Sequence, residues 1–189
     1  MFEYFENCIE LDLPTPDIDL ESLPWVRYNP RKEVPRWGVS LTSLDGGTTG
    51  KPDLDSLYEF NKENGTKYTE KDFKKPTEIY KKYFSFLDDK FEMGRSHILR
   101  LGNGGFFPYH RDFDADTMRL VYTIRGCESH NFVWIVNNEI IKLQNKRWYY
   151  VNTKMIHSVF SFFGCEFAVF NVINDERSRK SIVQHMHVK

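Results

Sequence analysis

Two histidines and one aspartate form the most specific chemical pattern in this sequence. His110 and Asp112 stand two residues apart in PYHRDFDAD, residues 108–116, and His157 follows later in NTKMIHSVFSF. On a β-strand, residues i and i+2 project from the same face, so His110 and Asp112 would present an imidazole and a carboxylate together. His157 would add a second imidazole, which completes a set of three ligands for one metal ion.

This set of ligands favours ferrous iron. Neutral imidazole and carboxylate groups suit Fe(II), and three protein ligands on one face leave other positions open for a co-substrate and dioxygen. Asp114 and Asp116 are alternative carboxylate ligands, but His110 and Asp112 have the tighter spacing. We therefore expect His110, Asp112 and His157 to be the metal ligands and the catalytic centre.

The tripeptide His110-Arg111-Asp112 also matches the start of a kinase catalytic loop. A kinase needs in addition a glycine-rich loop, a strand lysine, a downstream asparagine and a DFG segment. The sequence contains none of these, and its 189 residues are too few for a kinase domain. We therefore exclude a kinase.

Residues 95–175 have the pattern expected of strands that would position the ligands. Regular short β-rich segments, separated by Gly, Asn, Asp and Lys, favour an antiparallel barrel or jelly roll. In such a roll, the segment that begins at His157 can return beside the segment that ends at His110. The segments are SHILRLG, GGFFPYH, TMRLVYTIR, HNFVWIVN, NEIIKLQ, RWYYVN, HSVFSFF and CEFAVFNVI.

The segments on either side of this region differ from it. Residues 1–94 are rich in turn residues, with one predicted strand at 37–44 and two predicted helices at 54–65 and 74–91. Residues 176–189 form a charged tail. We predict a single domain over residues 1–189, in which N-terminal helices pack against a mainly β core.

Charge and cysteine content limit the partners. The 26 basic and 27 acidic residues give a formal net charge of −1, so no global field would attract nucleic acid or an anionic membrane. No apolar run approaches the ~18 residues that a membrane helix needs. Cys8, Cys127 and Cys165 are far apart, with no CxxC spacing. We expect a cytoplasmic protein that binds a small molecule, and neither nucleic acid nor a membrane.

The segments around the three candidate ligands resemble a known family. PYHRDF, MRLVYTIR and RWYYVNTKMIHSVFSF are similar to the core of aspartyl/asparaginyl β-hydroxylases and related proline hydroxylases, over residues 95–175. The resemblance implies a double-stranded β-helix (a cupin-like jelly roll), Fe(II) as the metal, and 2-oxoglutarate and dioxygen as co-substrates. The implied reaction hydroxylates an unactivated C–H of a small molecule such as an amino acid, or of an Asp or Asn side chain. By position, His110, Asp112 and His157 correspond to the iron ligands.

The expected anchor for 2-oxoglutarate departs from the family pattern. The family places an arginine on the strand after the distal histidine, where it pairs with the C5 carboxylate, but Phe167 stands there. We predict Arg119 or Arg125 as the replacement, because both would share one face of a strand and a guanidinium donates two parallel hydrogen bonds to a carboxylate. Arg100 and Lys154 are weaker candidates. The alternative for either arginine is a structural ion pair, or exposure at the rim.

Two other functions remain open at this point. Without the expected arginine, the jelly roll is also compatible with a non-catalytic binding module or a degenerate relative of the family. A cupin-type metalloenzyme that does not use 2-oxoglutarate is a further alternative. His97 and His130 have no second ligand at metal spacing, and His185 and His187 lie in the charged tail. We expect these four to be ordinary strand, turn or tail residues.

Overall fold

The computed structural model describes residues 6–29, 33–112 and 116–187. Its α-helices are α1 (Leu57–Asn64), α2 (Glu78–Phe84) and α3 (Glu176–Gln184). None of these helices combines the length and the apolar character that crossing a membrane requires. The strands are β1 (Cys8–Leu11), β2 (Val26–Arg27), β3 (Arg36–Ser40), β4 (Thr42–Ser43), β5 (Lys75–Pro76), β6 (Met93–Leu101), β7 (Phe106–His110), β8 (Thr117–Arg125), β9 (Phe132–Val136), β10 (Glu139–Ile141), β11 (Arg147–Val151), β12 (His157–Ser161) and β13 (Cys165–Ile173).

Strands β6 to β13 form a double-stranded β-helix. The larger sheet has the order β1-β11-β8-β13-β6-β3-β2, and the smaller sheet has the order β10-β9-β12-β7. Successive strands alternate between the two sheets, apart from the β9–β10 hairpin, and all paired neighbours are antiparallel. This arrangement confirms the predicted mainly β, jelly-roll fold. Each of the eight β-rich segments of the sequence contains one of these strands.

The larger sheet has an apolar core on each side. On the outer side, Leu120 and Tyr122 of β8 pack in one cluster with Trp148 of β11 and Phe84 of α2. Val121, which alternates with them, belongs to the second cluster, shared with strands of the smaller sheet. The N-terminal elements therefore cover one face of the sheet and leave the space between the sheets for the candidate ligands.

Helix α2 is shorter than the predicted helix at 74–91. Pro76 pairs with Thr42 in the β4–β5 ladder, so the helix begins only after Thr77, whose side chain accepts a hydrogen bond from the N–H of Tyr80. The predicted helix at 54–65 corresponds to α1, which ends at a left-handed Gly65 (φ 64°) as expected. The predicted strand at 37–44 is divided between β3 and β4.

Residues 176–189, predicted as a charged tail, contain helix α3. The Asp175 carboxylate caps this helix by accepting a hydrogen bond of 2.7 Å from the N–H of Ser178. Ile182 is fully buried in the outer core. Charged residues dominate the segment, so its narrow buried stripe was missed in the sequence.

Candidate metal centre

Two of the candidate ligands meet where β7 and β12 pair. His110 is the last residue of β7, His157 is the first residue of β12, and the two lie opposite each other in the antiparallel register. Their ring centroids are 4.2 Å apart. Phe107 and Val159 also pair and pack in the core between the sheets, and the register of the two strands shifts between that pair and the histidine pair.

Asp112 completes the group just beyond the end of β7. Its backbone N–H donates to the carbonyl of Thr153 at 3.0 Å, which ties it to the turn before His157. One ligand atom from each of the three residues lies within 4.8 Å of the others, and Nε2 of His110 is 3.7 Å from Oδ1 of Asp112. These separations suit three ligands about 2 Å from one ion. Within the described part of the chain, no other such group has this spacing.

Both imidazoles are oriented by nearby backbone carbonyls. Nδ1 of His110 is 2.6 Å from the carbonyl oxygen of Pro108, and Nδ1 of His157 is 3.0 Å from that of Met155. A carbonyl only accepts hydrogen bonds, so each Nδ1 carries a proton, and in the neutral ring Nε2 is the atom with a free lone pair. Histidines that bind metals are commonly held in this way. Nε2 is thus the ring nitrogen that each histidine has left to bind a metal.

Arg119 of β8 holds the carboxylate of Asp112. Its guanidinium donates a hydrogen bond to Oδ2, while Oδ1 is the oxygen that lies near His110. Burial raises the pKa of Asp112, but the charge of Arg119, the two histidines and a side-chain hydrogen bond from Thr153 outweigh it, and the pKa is lowered. The carboxylate is therefore ionised at neutral pH, as metal binding requires.

His157 is held in its neutral form. Burial, followed by the electrostatic effect of His110, lowers the pKa of His157 to about 4. A neutral imidazole is the form that binds a metal. The donor set, its orientation and its protonation therefore fit one divalent metal ion.

The alternative carboxylates differ from Asp112 in position. Asp114 lies outside the described residues. Asp116 forms a surface ion pair with Lys71, its side chain is 66% exposed, and it does not line the cavity beside the histidines. Of the carboxylates that the structure describes in this segment, Asp112 is the one that meets the histidines.

The three ligands open into a cavity of about 560 Å³ between the two sheets. This volume is typical of sites for small molecules. A wider hollow of about 720 Å³ lies beside α3, but it contains none of the candidate ligands. Titratable residues that line the ligand cavity besides the three ligands include Arg36, Asp55, Glu70, Arg95, His97 and Arg119.

The arginines predicted to bind a co-substrate occupy different positions. Arg119 lines the cavity, but its guanidinium is engaged by Asp112. Arg125 lies at the opposite end of β8, where its side chain is 58% exposed and donates to Glu166 at 2.8 and 3.0 Å. Arg119 and Arg125 share one face of β8, but the strand extends beyond the cavity, so Arg125 does not line the site. Arg100, a weaker candidate, also pairs with Glu166, and neither it nor Lys154 lines the cavity.

Phe167 forms part of an aromatic wall of the cavity. It is 1% exposed, and its ring centroid is 5.5 Å from that of Phe132 and 5.8 Å from that of Trp134. This wall is apolar at the position where the family pattern has an arginine.

Three cavity residues were missed in the sequence. Arg95 and His97 lie on β6, and Arg36 lies on β3. Arg95 is paired with Glu70 at 2.9 Å. His97 is a strand residue, as expected, but its buried ring lines the cavity. Strand alternation was the available signal, because Arg95 and His97 share a face two residues apart.

Unpartnered polar atoms are concentrated around this cavity. Among the described residues, six buried side-chain nitrogen or oxygen atoms have no hydrogen-bond partner. All except the hydroxyl of Ser178 belong to residues that line the cavity: Asn29 (Oδ1), Arg36 (Nε), His97 (Nδ1), Arg119 (Nε) and Trp134 (Nε1). Buried polar groups are normally bonded, so this concentration indicates a place where a polar ligand binds.

Comparison with known proteins shows likeness only among solved structures. No family model and no curated protein matches the sequence. An RmlC-like cupin from Shewanella frigidimarina is 15% identical, over 43% of this chain and 68% of its own, with a TM-score of 0.35. A predicted oxalate decarboxylase from Thermotoga maritima is 13% identical, over 47% and 71%, with a TM-score of 0.36.

A third structure is a viral collagen prolyl hydroxylase of Paramecium bursaria Chlorella virus-1, solved as a complex with 2-oxoglutarate. It is 13% identical, over 48% of this chain and 68% of its own, with a TM-score of 0.38. Each of the three likenesses is confined to less than half of this chain.

Proposed function

We propose that this protein is an Fe(II)- and 2-oxoglutarate-dependent oxygenase that hydroxylates an unactivated C–H bond of a small molecule such as an amino acid. The observation that carries the proposal is the group His110, Asp112 and His157, whose ligand atoms lie within 4.8 Å of one another at the edge of a cavity. Two imidazoles and one carboxylate leave positions open for a co-substrate and dioxygen.

Ferrous iron would supply the oxidative chemistry, in which 2-oxoglutarate, dioxygen and the substrate give succinate, carbon dioxide and the hydroxylated product. One atom of dioxygen enters succinate and the other enters the product. The protein's own residues have the tasks of binding and orientation. Arg119 keeps Asp112 ionised and fixed, and the apolar wall around Phe167 excludes water from the reacting atoms.

The charge of the cavity supports an amino acid as substrate. Asp55 lines it, is 7% exposed, and forms no ion pair with any of the described residues. A buried carboxylate needs a partner of opposite charge, and an ammonium group would provide one. A small molecule with an amino group therefore fits this side of the cavity.

The proposal is tested by reconstituting the protein anaerobically with Fe(II) and then adding 2-oxoglutarate, labelled dioxygen and a panel of free amino acids. We expect succinate, together with a product that has gained one labelled oxygen atom. Asp112→Ala should release no succinate, whereas Arg147→Met, at an exposed position of β11, should behave as the wild type. Release of succinate by Asp112→Ala at the wild-type rate would refute the assignment of the centre.

The apolar environment of Phe167 favours a second candidate, a cupin-type metalloenzyme that uses the same three ligands without 2-oxoglutarate. A phenylalanine in an aromatic cluster offers no bond to a carboxylate. Calorimetric titration of 2-oxoglutarate into the anaerobic Fe(II) protein separates the two. Binding supports the oxygenase, and iron binding without 2-oxoglutarate binding supports the second candidate.

A further inference from the structure

Arg36 is the cavity arginine that has no carboxylate partner among the residues described by the structure. Among the described residues, three arginines line the cavity. Arg95 is paired with Glu70, and Arg119 is bonded to Asp112. Arg36 forms no ion pair with any of the residues that the structure describes.

The surroundings of Arg36 do not replace such a partner. Its side chain is 5% exposed. Within the described residues, its Nε has no hydrogen-bond partner, and its Nη1 makes only a long contact of 3.4 Å with the carbonyl of Phe106. The guanidinium lies 4.6 Å from the ring centroid of Phe107 and 5.5 Å from that of Tyr28. Aromatic faces compensate only part of the cost of burying a charge. An anion that enters the cavity would compensate the remaining cost.

Strand register places Arg36 on the same wall as Phe167. Gly38 of β3 and Phe167 of β13 both pair with Leu99, from opposite sides of β6. Arg36 stands two residues from Gly38, so it projects from the same face of the sheet. A cation therefore lies on this wall, displaced from the position that Phe167 occupies.

The distance between the guanidinium of Arg36 and the metal ligands suits a short dicarboxylate. The guanidinium of Arg36 lies over Phe107, which precedes His110 by three residues on β7. Three residues of extended strand span about 10 Å. This is the length scale of a five-carbon dicarboxylate together with the hydrogen bond that would hold its far end.

We propose that Arg36 binds the distal carboxylate of the 2-oxoglutarate co-substrate, and so supplies from β3 the cation that Phe167 cannot supply. This inference rests on the proposed oxygenase function. The planar guanidinium would donate two hydrogen bonds to the carboxylate, one of them from the Nε–H, which has no partner in the described part of the chain. Arg119 would remain a positioning residue for Asp112.

The test compares two ligands and three proteins. 2-Oxoglutarate and 2-oxopentanoate, which has the same chain length but no distal carboxylate, are titrated into the anaerobic Fe(II) forms of the wild type, Arg36→Met and Arg147→Met. We expect Arg36→Met to bind 2-oxoglutarate about 10- to 100-fold more weakly, to bind 2-oxopentanoate as the wild type does, and to retain iron. Arg147→Met should match the wild type with both ligands.

Three results would overturn the inference in distinguishable ways. Unchanged binding of 2-oxoglutarate by Arg36→Met would remove Arg36 as the anchor and leave the oxygenase function standing. An equal loss of both ligands would assign Arg36 a structural role. A wild type that binds iron but no 2-oxoglutarate would overturn the proposed function and the inference together. If Arg36→Met does not fold, Arg36→Lys serves instead, and it must reduce the preference for 2-oxoglutarate over 2-oxopentanoate.

Discussion

His110 and His157 face each other across the β7–β12 pair, with ring centroids 4.2 Å apart and each Nδ1 directed at a backbone carbonyl. Strand pairing and the two backbone carbonyls fix this relationship. The two Nε2 atoms are therefore preorganised, and a metal ion would lose little free energy in ordering its ligands.

Arg119→Met should weaken the binding of Fe(II) by about 10-fold. The substitution removes the hydrogen bond that orients Asp112 and the charge that keeps its pKa low, and we expect these losses to outweigh the relieved repulsion between guanidinium and metal. Competition with a metal chelator under anaerobic conditions measures the affinity. Tighter binding by the variant than by the wild type would contradict the positioning role.

Arg36→Met should raise the free energy of unfolding of the metal-free, ligand-free protein by about 1 kcal/mol. The substitution replaces a buried charge that has no carboxylate partner among the described residues by an apolar side chain of similar length. Urea unfolding followed by circular dichroism provides the measurement. A loss of stability would show that Arg36 is satisfied without a ligand.

Phe167→Ala should lower the free energy of unfolding by about 3–5 kcal/mol, because it removes a fully buried ring from the aromatic wall. Phe163→Ala is the matched control, since that ring is 75% exposed, and its effect should stay within about 0.5 kcal/mol. Equal effects in denaturant titrations of the two variants would show that the wall contributes little to stability.

The stability of the metal-free protein should fall as the pH drops below 6.5. Burial, with the charges of Arg95 and Arg119, holds the pKa of His97 well below its usual 6.5. Because the folded pKa lies below the unfolded value, the stabilisation is complete above pH 6.5 and is lost as the unfolded state takes up a proton below it. The contribution of His97 to stability therefore decreases as the pH falls below 6.5.

The pKa of His157 is lowered to about 4, so His157 also lowers the stability of the folded protein as the pH falls. His97→Gln should therefore reduce the slope of stability against pH without abolishing it, whereas His130→Gln, at an exposed turn, should leave the slope unchanged. Unfolding free energies at pH 5 and pH 7 measure the slopes. A slope in His97→Gln equal to that of the wild type would contradict the burial of a neutral His97.

The strands and the three candidate ligands were predictable because their signals are local. Alternation and turn residues mark β6 to β13 in the sequence, and the two-residue spacing of His110 and Asp112 places both on one side of a strand end. The partner His157 follows from the jelly-roll order, in which β12 lies between β7 and β9.

The cavity arginines were harder to predict because their positions depend on long-range pairing. Arg36 reaches the cavity only because β3 pairs with β6 in the large sheet. Strand alternation predicts that Arg125 shares the face of Arg119. It does not specify which positions along the strand lie beside the cavity. The far end of the nine-residue β8 reaches the surface, where the exposed side chain of Arg125 pairs with the buried Glu166.

The most direct test of the metal centre is an anaerobic calorimetric titration of Fe(II) into the metal-free wild type, Asp112→Ala and His157→Ala. We predict one equivalent of iron bound by the wild type, and loss of that binding in both variants. Binding of one equivalent with unchanged affinity by either variant would show that iron is not held by His110, Asp112 and His157.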